Sequence, residues 1–294
     1  MLLGGIEAGG TKMVLGLGDE KGNILESRSL PTLTPAETVP AMIDFFKNRG
    51  IEALGIASFG PVDPDRNSPT YGFITKTPKL PWRDYPILPE MQKALNVPMG
   101  FDTDVNAAVL AEVELGSAKG ARSCLYLTVG TGIGGGMYCE GKLVHGMQHP
   151  EWGHIPMDVL PQDPVGKGFC PYHGNCPEGL ASGPAMEKRW GMPGKEIPPS
   201  HPAWRLEAKY LGRLCATALM TFCPEKVILG GGVMAQSALL PMVREETEKC
   251  LAGYMTAAGF ADLEHVIVTP ALYPVSGLAG ALLLAKEACN GEQA

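Results

Sequence analysis

The sequence predicts an α/β protein made of two related domains. Apolar runs of strand length alternate with segments of helical character along the 294 residues, a length that suits one large domain or two ordinary ones. The succession of strand, glycine turn, strand and strand, followed by helix and strand, occurs at the N-terminus and again from residue 124. Two successions of the same kind are typical of two domains that share one topology.

Turn compositions separate the strands of the first half. "AGGT" and "DEKGN" divide three strands, which are predicted at residues 2–7, 12–18 and 23–30. "IEALGIASFG" is the next buried strand. "PMGFDTD" is a short strand that leads into the helix "VNAAVLAEVELG".

The helix predicted in "TPAETVPAMIDFFKNRG" has start and stop signals at both ends. Thr34 can cap it, Pro35 occupies the first helical position, and Glu37 completes a capping box. Gly50 is expected to close its C-terminal end.

The second half begins with "CLYLTVGTGIGGGMYCEGKLVHG", which predicts strand, glycine turn, strand, tight turn and strand. Helices are predicted near residues 205–222, 236–251 and 276–288, with the strands "KVILGG" and "HVIVTP" between them. The segment "LGSAKGARS" follows the helix that ends near Leu115, so we place the boundary between the domains there.

Composition and charge exclude several classes of function. The net charge of −7 and the pI near 5.4 argue against a nucleic-acid surface, although small anions remain compatible with local basic or backbone sites. No stretch approaches the length of apolar sequence that spans a membrane, and "MLLGGIEAGGTK" lacks the features of a signal peptide. We therefore expect a cytoplasmic protein with no membrane partner, in which disulfides are rare.

Two glycine loops are candidate phosphate sites. "GTGIGG" matches the G-x-G-x-x-G pattern formally, but a strand follows it where a dinucleotide site requires a helix. "EAGGTKMVLGLG" has the same layout, and both loops can be simple hairpins in which glycine supplies positive φ. Each loop nevertheless places a threonine after glycine (Thr11 and Thr131), and Lys12 adds a charge. Bare backbone N–H groups with a hydroxyl form an anion nest, so the pair predicts polyphosphate binding. A third glycine run, "VILGGGVMAQ", is expected to end a strand and open a helix near a base or ribose.

"CPYHGNC" is a candidate metal cluster. Cys170, His173 and Cys176 stand at steps of three, and His154 precedes Cys170 by sixteen positions. Two cysteines and two histidines make a closed tetrahedral set that is typical of structural zinc. Unliganded thiols are the alternative, and His145 and His149 compete with His154 as the fourth ligand. The other six cysteines (Cys124, Cys139, Cys215, Cys223, Cys250 and Cys289) are interpreted as buried small hydrophobic residues.

Five segments, followed by the third glycine run, lie in order between residues 4 and about 233 and resemble the ROK family of repressors, open reading frames and kinases. They are "GGIEAGGTK", "GFDTDVNAA", "VGTGIGGG", "HPEWGH" and the cysteine cluster followed by Glu178. The cluster variant "CPYHGNC" is most similar to bacterial fructokinases of the family. The resemblance implies two actin-like (ribonuclease H-like) domains of the hexokinase, actin and heat-shock chaperone superfamily, with an interdomain active-site cleft. It implies domains 1–115 and 116–275, a zinc-binding insertion at about 150–180, and a C-terminal helix at about 276–294 that packs back on the first domain.

The activity that the resemblance implies is transfer of the γ-phosphate of ATP to the 6-hydroxyl of D-fructose, with Mg²⁺, structural Zn²⁺ and a homodimeric assembly. Asp104 matches the catalytic aspartate. From spacing alone Asp102 and Asp104 are equal candidates, because an Asp at a strand-to-helix junction is also a favoured cap. The implied zinc ligands are His154, Cys170, His173 and Cys176. The implied ATP-binding residues are Gly9, Gly10, Thr11, Lys12, Gly130, Thr131, Gly132, Pro184, Gly230, Gly231 and Gly232. The implied substrate-binding residues are Gly60, Pro61, Thr103, Asp104, Glu151 and Glu178.

Three positions depart from the family pattern. Thr103 stands where Asn is common in glucokinases, and Glu7, a candidate to hold Mg²⁺ through water, stands where Asp is usual. Lys79 replaces an Asn that meets the sugar in glucokinase-like members, which weakens a glucose interpretation. The alternatives are another hexose kinase (glucose, mannose or N-acetylmannosamine) or a non-catalytic sugar-sensing regulator. Regulators of the family carry a DNA-binding segment before the first glycine loop, which begins here at Gly4.

Overall fold

A computed structural model describes residues 1–291 of the chain, which form two compact units. Unit 1 comprises residues 1–120, 136–150 and the chain from Leu272. Unit 2 comprises residues 121–135 and 151–271. The domain limits given above, at residues 115 and 275, stay a prediction.

Unit 1 contains a five-stranded sheet in the order β3-β2-β1-β4-β5. Its strands are β1 Leu3–Ala8, β2 Lys12–Gly18, β3 Ile24–Pro31, β4 Ala53–Ser58 and β5 Met99–Thr103. β1, β2 and β3 pair antiparallel, whereas β1, β4 and β5 pair parallel. β3 lies at the edge of the sheet and exposes its polar residues, as expected for an edge strand.

Successive side chains of β1 point to opposite faces of this sheet, so each face packs against different helices. Ile6 belongs to the apolar cluster formed with α1 (Pro35–Phe46) and α2 (Ile87–Leu95). Leu3 instead packs with Leu282 of α9 (Ser276–Asn290) on the other face. α9 also packs against α3 (Asp104–Glu114). The C-terminal helix therefore lies on the sheet of unit 1, and its predicted residues 292–294 lie outside the described part of the chain.

Glycines allow α9 to approach the sheet closely. A Cβ atom on Gly55 of β4 would lie 1.7 Å from the carbonyl oxygen of Ala281, and one on Gly100 of β5 would lie 2.3 Å from that of Leu284. A Cβ on Gly280 would lie 1.8 Å from the carbonyl oxygen of Ala107 in α3. These contacts leave no room for a side chain, so glycine at these positions sets the packing distance.

The second sheet has the order β10-β9-β6-β7-β8. Its strands are β6 Ser123–Val129, β7 Ile133–Cys139, β8 Lys142–Leu143, β9 Lys226–Gly230 and β10 Ile267–Val268. β6 pairs parallel with β9, β9 pairs parallel with β10, and β7 pairs antiparallel with β8. Both sheets thus place their first strand at the centre, the next two strands on one side and the last two on the other. This repeat confirms the predicted fold class of two actin-like α/β domains.

The remaining helices belong to unit 2. They are α4 Pro177–Ala181, α5 Gly183–Trp190, α6 Ala203–Thr221, α7 Leu239–Leu251 and α8 Leu263–Val266. α6 packs against α7 and α4. The sequence analysis missed α2, α4, α5 and α8, because each is short. Pro or Gly interrupts or borders α2, α4 and α5, and α8 overlaps the segment "HVIVTP", which is predicted above as a strand. None of the helices among the described residues is both long and apolar enough to cross a membrane.

Three local predictions need correction. α1 begins with the predicted capping box but ends at Phe46 rather than at Gly50, because Lys47 takes ψ of 132° and Asn48 takes positive φ (62°), neither of which continues a helix. The third glycine run leads into a short 3₁₀ turn, Gly232–Ala235, and not directly into an α-helix. Of the six cysteines interpreted as buried, Cys124 and Cys215 are buried, Cys139 and Cys289 are half-buried, and Cys223 and Cys250 are exposed.

Candidate active site and metal centre

The predicted site residues of unit 1 gather at one edge of its sheet. Ala8, Ser58 and Thr103 are in register across the parallel strands β1, β4 and β5, so these strands end at the same level. The first glycine loop follows β1, the Gly60–Pro61 pair follows β4, and Asp104 follows β5. Loops after the carboxyl ends of parallel strands are where open α/β sheets bind their ligands.

The first glycine loop is a tight turn between β1 and β2. The N–H of Gly9 donates to the carbonyl oxygen of Lys12 (3.0 Å). Thr32 at the end of β3 holds the turn from outside, because its hydroxyl donates to the carbonyl oxygen of Gly9 (2.7 Å) and its N–H to that of Thr11 (3.0 Å). The side chains of Thr11 and Lys12 remain exposed. The loop can therefore offer a hydroxyl and a positive charge to a phosphate.

Glu7 lies on the face of β1 that packs on α9. Its carboxyl group fills the space beside Gly277, where a Cβ would approach the carboxyl carbon to 2.6 Å, and it accepts the N–H of Leu278. Burial raises the pKa of Glu7, whereas the charge of Lys12 and the bond from Leu278 lower it. A carboxylate behind a phosphate loop fits the predicted contact to Mg²⁺ through water.

The Gly60–Pro61 pair is packed against a buried histidine. The ring of His149 lies 3.3 Å from the position of a Cβ on Gly60, and its Nε2 accepts the N–H of Val62 (3.1 Å). Burial lowers the pKa of His149. Pro61 is fixed on its other side, because its carbonyl oxygen accepts the N–H (2.7 Å) and the hydroxyl (3.0 Å) of Thr75.

Asp102 and Asp104 differ in their surroundings. Asp102 is 2% exposed, and its carboxylate accepts the N–H of Thr103 (2.7 Å), the amide of Asn106 (2.8 Å) and Nε2 of His145 (2.8 Å). Asp104 is the first residue of α3 and is only half-buried. The hydroxyl of Thr103 caps α3 by accepting the N–H of Asn106 (3.0 Å). This geometry favours Asp104 over Asp102 as the carboxylate that can meet a ligand.

In unit 2, the second glycine loop joins β6 to β7. The N–H of Gly130 donates to the carbonyl oxygen of Gly132 (2.9 Å), which closes the turn. The carbonyl oxygen of Gly130 accepts the N–H of Gly183 (2.8 Å), so the start of α5 and the adjoining Pro184 lie at this loop. Thr131 is exposed, as Thr11 is in the first loop. The structure thus places Pro184 near the second glycine loop, and the sequence analysis names residues of both among the ATP-binding residues.

The third glycine run reaches the same place. Gly230 of β9 is in register with Thr128 of β6, so both strands end beside the second loop. Gly231 has φ of +90°, and a Cβ on it would lie 2.4 Å from the carbonyl oxygen of Val129. Glycine is required here by both conformation and space. The predicted nucleotide residues of unit 2 therefore form one group.

The Cys and His residues of "CPYHGNC" converge with His154. The four candidate ligand atoms lie within 4.8 Å of one another. Nδ1 of His154 lies 3.8 Å from Sγ of Cys170 and 3.7 Å from Sγ of Cys176, and Nδ1 of His173 lies 3.7 Å from Sγ of Cys170. Tetrahedral zinc with ordinary bond lengths separates nitrogen and sulfur ligands by about 3.5 Å. The residues therefore fit Zn²⁺.

Local backbone geometry explains why these side chains meet. Gly174 takes φ of +59° and exchanges backbone hydrogen bonds with Cys170 (3.0 and 3.4 Å), which closes the turn. The N–H of Gly179 donates to Sγ of Cys176 (3.4 Å), which orients this side chain. His145 and His149, the competing ligands, are instead bonded to Asp102 and Val62 within unit 1.

The two predicted sugar carboxylates lie beside the metal cluster. Oε1 of Glu178 is 3.9 Å from Nε2 of His154, and its Oε2 accepts the N–H of Ile133 (3.2 Å), just after the second glycine loop. The protein atoms around Glu151, with a smaller contribution from the charge of Glu178, raise the pKa of Glu151 to about 7, although the residue keeps an exposed surface. The short 3₁₀ turn Trp152–His154 packs closely on β7, since a Cβ on Gly153 would lie 1.7 Å from the carbonyl oxygen of Ile133.

Sequence reasoning missed two features of the site in unit 1. His145 and His149 were considered only as metal ligands, yet they contact Asp102 and the Gly60 loop. Lys79 brings its Cε to 3.2 Å from the position of a Cβ on Gly10 in the first glycine loop. The paired histidines in "VHGMQHPE", beside a motif with functional residues, were the available signal for the first feature. Nothing in the sequence indicates the second.

Comparisons with known proteins show which proteins this chain is similar to. The sequence model of the ROK family matches residues 3–288. A fructokinase of Pediococcus pentosaceus is 43% identical over 288 residues, which cover 98% of this chain and 99% of that protein. A fructokinase of Zymomonas mobilis is 42% identical over 298 residues, covering 98% of each. The crystal structure of a ROK hexokinase from Thermus thermophilus is similar with a TM-score of 0.79 and 28% identity, covering 99% of this chain and 100% of that one.

Proposed function

Because the chain belongs to the ROK family, we propose that it is an ATP-dependent fructokinase, which transfers the γ-phosphate of ATP to the 6-hydroxyl of D-fructose. The observation that carries the choice of sugar is the identity of 42–43% over nearly the whole chain to two fructokinases. The arrangement of carboxylates and glycine loops supports the chemistry. Phosphoryl transfer needs positioned reactants and neutralised charge rather than covalent catalysis.

Asp104 is the proposed catalytic base. Its carboxylate lies at the N-terminus of α3, half-buried, at the carboxyl ends of the parallel strands of unit 1. There it can accept the proton of the sugar hydroxyl as the oxygen attacks the phosphorus atom. Asp102 is a poor base, because Thr103, Asn106 and His145 already occupy its carboxylate oxygens.

The two glycine loops are the proposed phosphate sites. Gly9–Lys12 and Gly130–Gly132 each offer backbone N–H groups and an exposed threonine hydroxyl. Pro184 and Gly230–Gly232 adjoin the second loop and are proposed to contact the rest of the nucleotide. Mg²⁺, which Glu7 would hold through water, would neutralise charge on the phosphates.

Of the predicted sugar residues, Gly60, Pro61, Glu151 and Glu178 are proposed to contact the sugar directly. Carboxylates accept hydrogen bonds from neighbouring hydroxyls, so Glu151 and Glu178 suit a polyol. Thr103 is 2% exposed and its hydroxyl caps α3, so its contribution is to hold Asp104 in place. Lys79, beside the first glycine loop, stands where glucokinase-like members have Asn, which favours fructose over glucose.

His154, Cys170, His173 and Cys176 are the proposed ligands of Zn²⁺. A zinc ion with four protein ligands has no open position for a catalytic water, so its role is to fold the segment. Nε2 of His154 faces Glu178 at 3.9 Å, which links the ligand set to a sugar carboxylate.

A coupled assay across hexoses tests the proposal. With MgATP, we expect the highest kcat/KM for fructose, and fructose 6-phosphate as the product. A higher kcat/KM for glucose, mannose or N-acetylmannosamine would assign a different hexose kinase. No turnover with any hexose, together with saturable sugar binding, would support the sugar-sensing alternative. The homodimer, testable by analytical ultracentrifugation, and the cytoplasmic location remain predictions.

A further inference from the structure

We propose that His145 is a positioning residue for phosphoryl transfer, which acts through Asp102 on the N-terminus of α3 and thereby orients Asp104. This inference rests on the proposed kinase function. It assigns a role to a histidine that the sequence analysis considered only as a competing metal ligand.

The first step of the argument is the contact between His145 and Asp102. Nε2 of His145 lies 2.8 Å from Oδ2 of Asp102, and Asp102 is 2% exposed. The His145 side chain is 28% exposed, so one edge of the ring reaches solvent while the other holds the carboxylate. A buried carboxylate is tolerated only when its oxygens are bonded, and His145 supplies the donor to Oδ2.

The second step runs from Asp102 to the start of α3. Oδ1 of Asp102 accepts the N–H of Thr103 (2.7 Å) and the side-chain amide of Asn106 (2.8 Å). Thr103 is the N-cap of α3, and its hydroxyl accepts the N–H of Asn106 (3.0 Å). The side-chain carbonyl of Asn106 accepts the N–H of Met137 in β7 (3.2 Å), and its side-chain nitrogen lies 3.3 Å from Nε2 of His145, so His145 contacts Asn106 directly as well as through Asp102.

The third step concerns Asp104 itself. Asp104 lies between Thr103 and Asn106, so the position of its backbone depends on two residues that Asp102 holds. Its Oδ1 accepts the N–H of Val105 (2.9 Å), so the start of α3 also orients its carboxylate. A misplacement of about 1 Å in a reacting group can cost on the order of 100-fold in rate. A loosened Asp102 would therefore reduce turnover without removing any group that contacts a substrate.

The electrostatic environment of His145 supports this role. The hydrogen bond to Asp102 and its charge raise the pKa of His145, against the opposing effect of burial. His149 also interacts with His145; burial lowers the pKa of His149, and its Nε2 accepts the N–H of Val62. One histidine thus faces the carboxylate as a donor, whereas the other is held neutral as an acceptor.

Two variants of His145 separate positioning from folding. His145→Gln can keep an N–H donor toward Asp102, whereas His145→Phe fills similar space without one. We expect His145→Phe to lower kcat for fructose by about 10- to 100-fold, with the KM values for ATP and fructose within about threefold of wild type. His145→Gln should recover kcat to within about fivefold. His265→Phe is the matched control, because His265 forms a similar pair with Asp262 (2.7 Å) that is exposed.

Hydrogen exchange of the backbone N–H of Asn106, measured by NMR on the same variants, tests the positioning directly. Exchange should accelerate about tenfold or more in His145→Phe and stay near wild type in His145→Gln. Wild-type kcat or unchanged Asn106 exchange in His145→Phe would overturn the proposal, as would equal loss of kcat in both variants. If the wild-type protein phosphorylates no hexose, the kinase proposal fails, and the exchange measurement still decides whether His145 holds α3.

Discussion

The side-chain amide of Asn106 donates a 2.8 Å hydrogen bond to the carboxylate of Asp102, across one turn of chain that contains Asp104. This bond helps to hold Asp102 at the start of α3, whereas Asp104, the proposed base, is half-buried. The sequence offered both as candidates for the base, and the distinction determines the first prediction.

Asp104→Asn should lower kcat by about two to four orders of magnitude, the usual contribution of a positioned base. The amide preserves the shape of the side chain and its place at the start of α3, but it cannot take a proton. Steady-state kinetics and ATP binding by calorimetry check this, and we expect ATP affinity within about threefold of wild type. Near-wild-type turnover would remove Asp104 from the role of base.

Thr131→Val should raise the KM for ATP by about tenfold, or lower kcat, while the KM for fructose changes little. The substitution removes the exposed hydroxyl of Thr131 in the second glycine loop, whereas all of the residues proposed to bind the sugar are kept. Thr221→Val, at the exposed end of α6, is the control. Equal effects on both KM values would show that the loop assignment is wrong or that the hairpin has been disturbed.

Cys176→Ser should abolish stoichiometric zinc and raise the KM for fructose by about tenfold or more, while ATP binding remains measurable. The proposed ligand lies two residues before Glu178, and structural zinc contributes on the order of 10 kcal/mol to the folding of small sites. Metal analysis and kinetics check this, with the exposed Cys223→Ser as control. A fully active wild-type preparation that contains no zinc, purified without chelator, would contradict the ligand assignment.

The bond between His145 and Asp102 should make stability depend on pH. Because the pKa of His145 is raised in the folded protein, its contribution is fully present below its unfolded value of about 6.5 and is lost as pH rises through the folded value. We expect the Tm of wild type to exceed that of His145→Gln by about 2 °C at about pH 5.5, and by less at about pH 9. A difference that grows with pH would contradict the sign of this effect.

Gly55→Ala should destabilise the protein by about 3 kcal/mol or more, because the new Cβ would collide with the carbonyl oxygen of Ala281 at 1.7 Å. Urea denaturation measures the change. Gly194→Ala, where no atom lies within 4 Å of the new Cβ, should change stability by less than about 1 kcal/mol. Similar midpoints for the two variants would show that α9 can move away from β4 at little cost.

The sequence by itself determined the features that depend on residues near one another in the chain. Alternating apolar residues placed the strands, and Thr34 with Glu37 placed the start of α1. The steps of three in "CPYHGNC" identified three candidate ligands, because a turn closed by Gly174 brings such neighbours together. The two glycine loops were recognisable because a hairpin between successive strands is local.

Only the tertiary structure decided which distant groups meet. His145 and Asp102 are 43 residues apart, and Glu178 and Ile133 are 45 apart, yet each pair forms a bond that defines the site. The local sequence around Gly55 also does not indicate why glycine is needed there, because the atom that excludes a side chain is the carbonyl oxygen of Ala281 in the last helix. Hydrogen bonds between neighbouring residues and the alternation of side chains depend on the local backbone, so they can be predicted from the sequence. Contacts between distant segments form only when sheets and helices pack, and that packing fixed Asp102 as the anchor of α3 and left Asp104 half-exposed beside it.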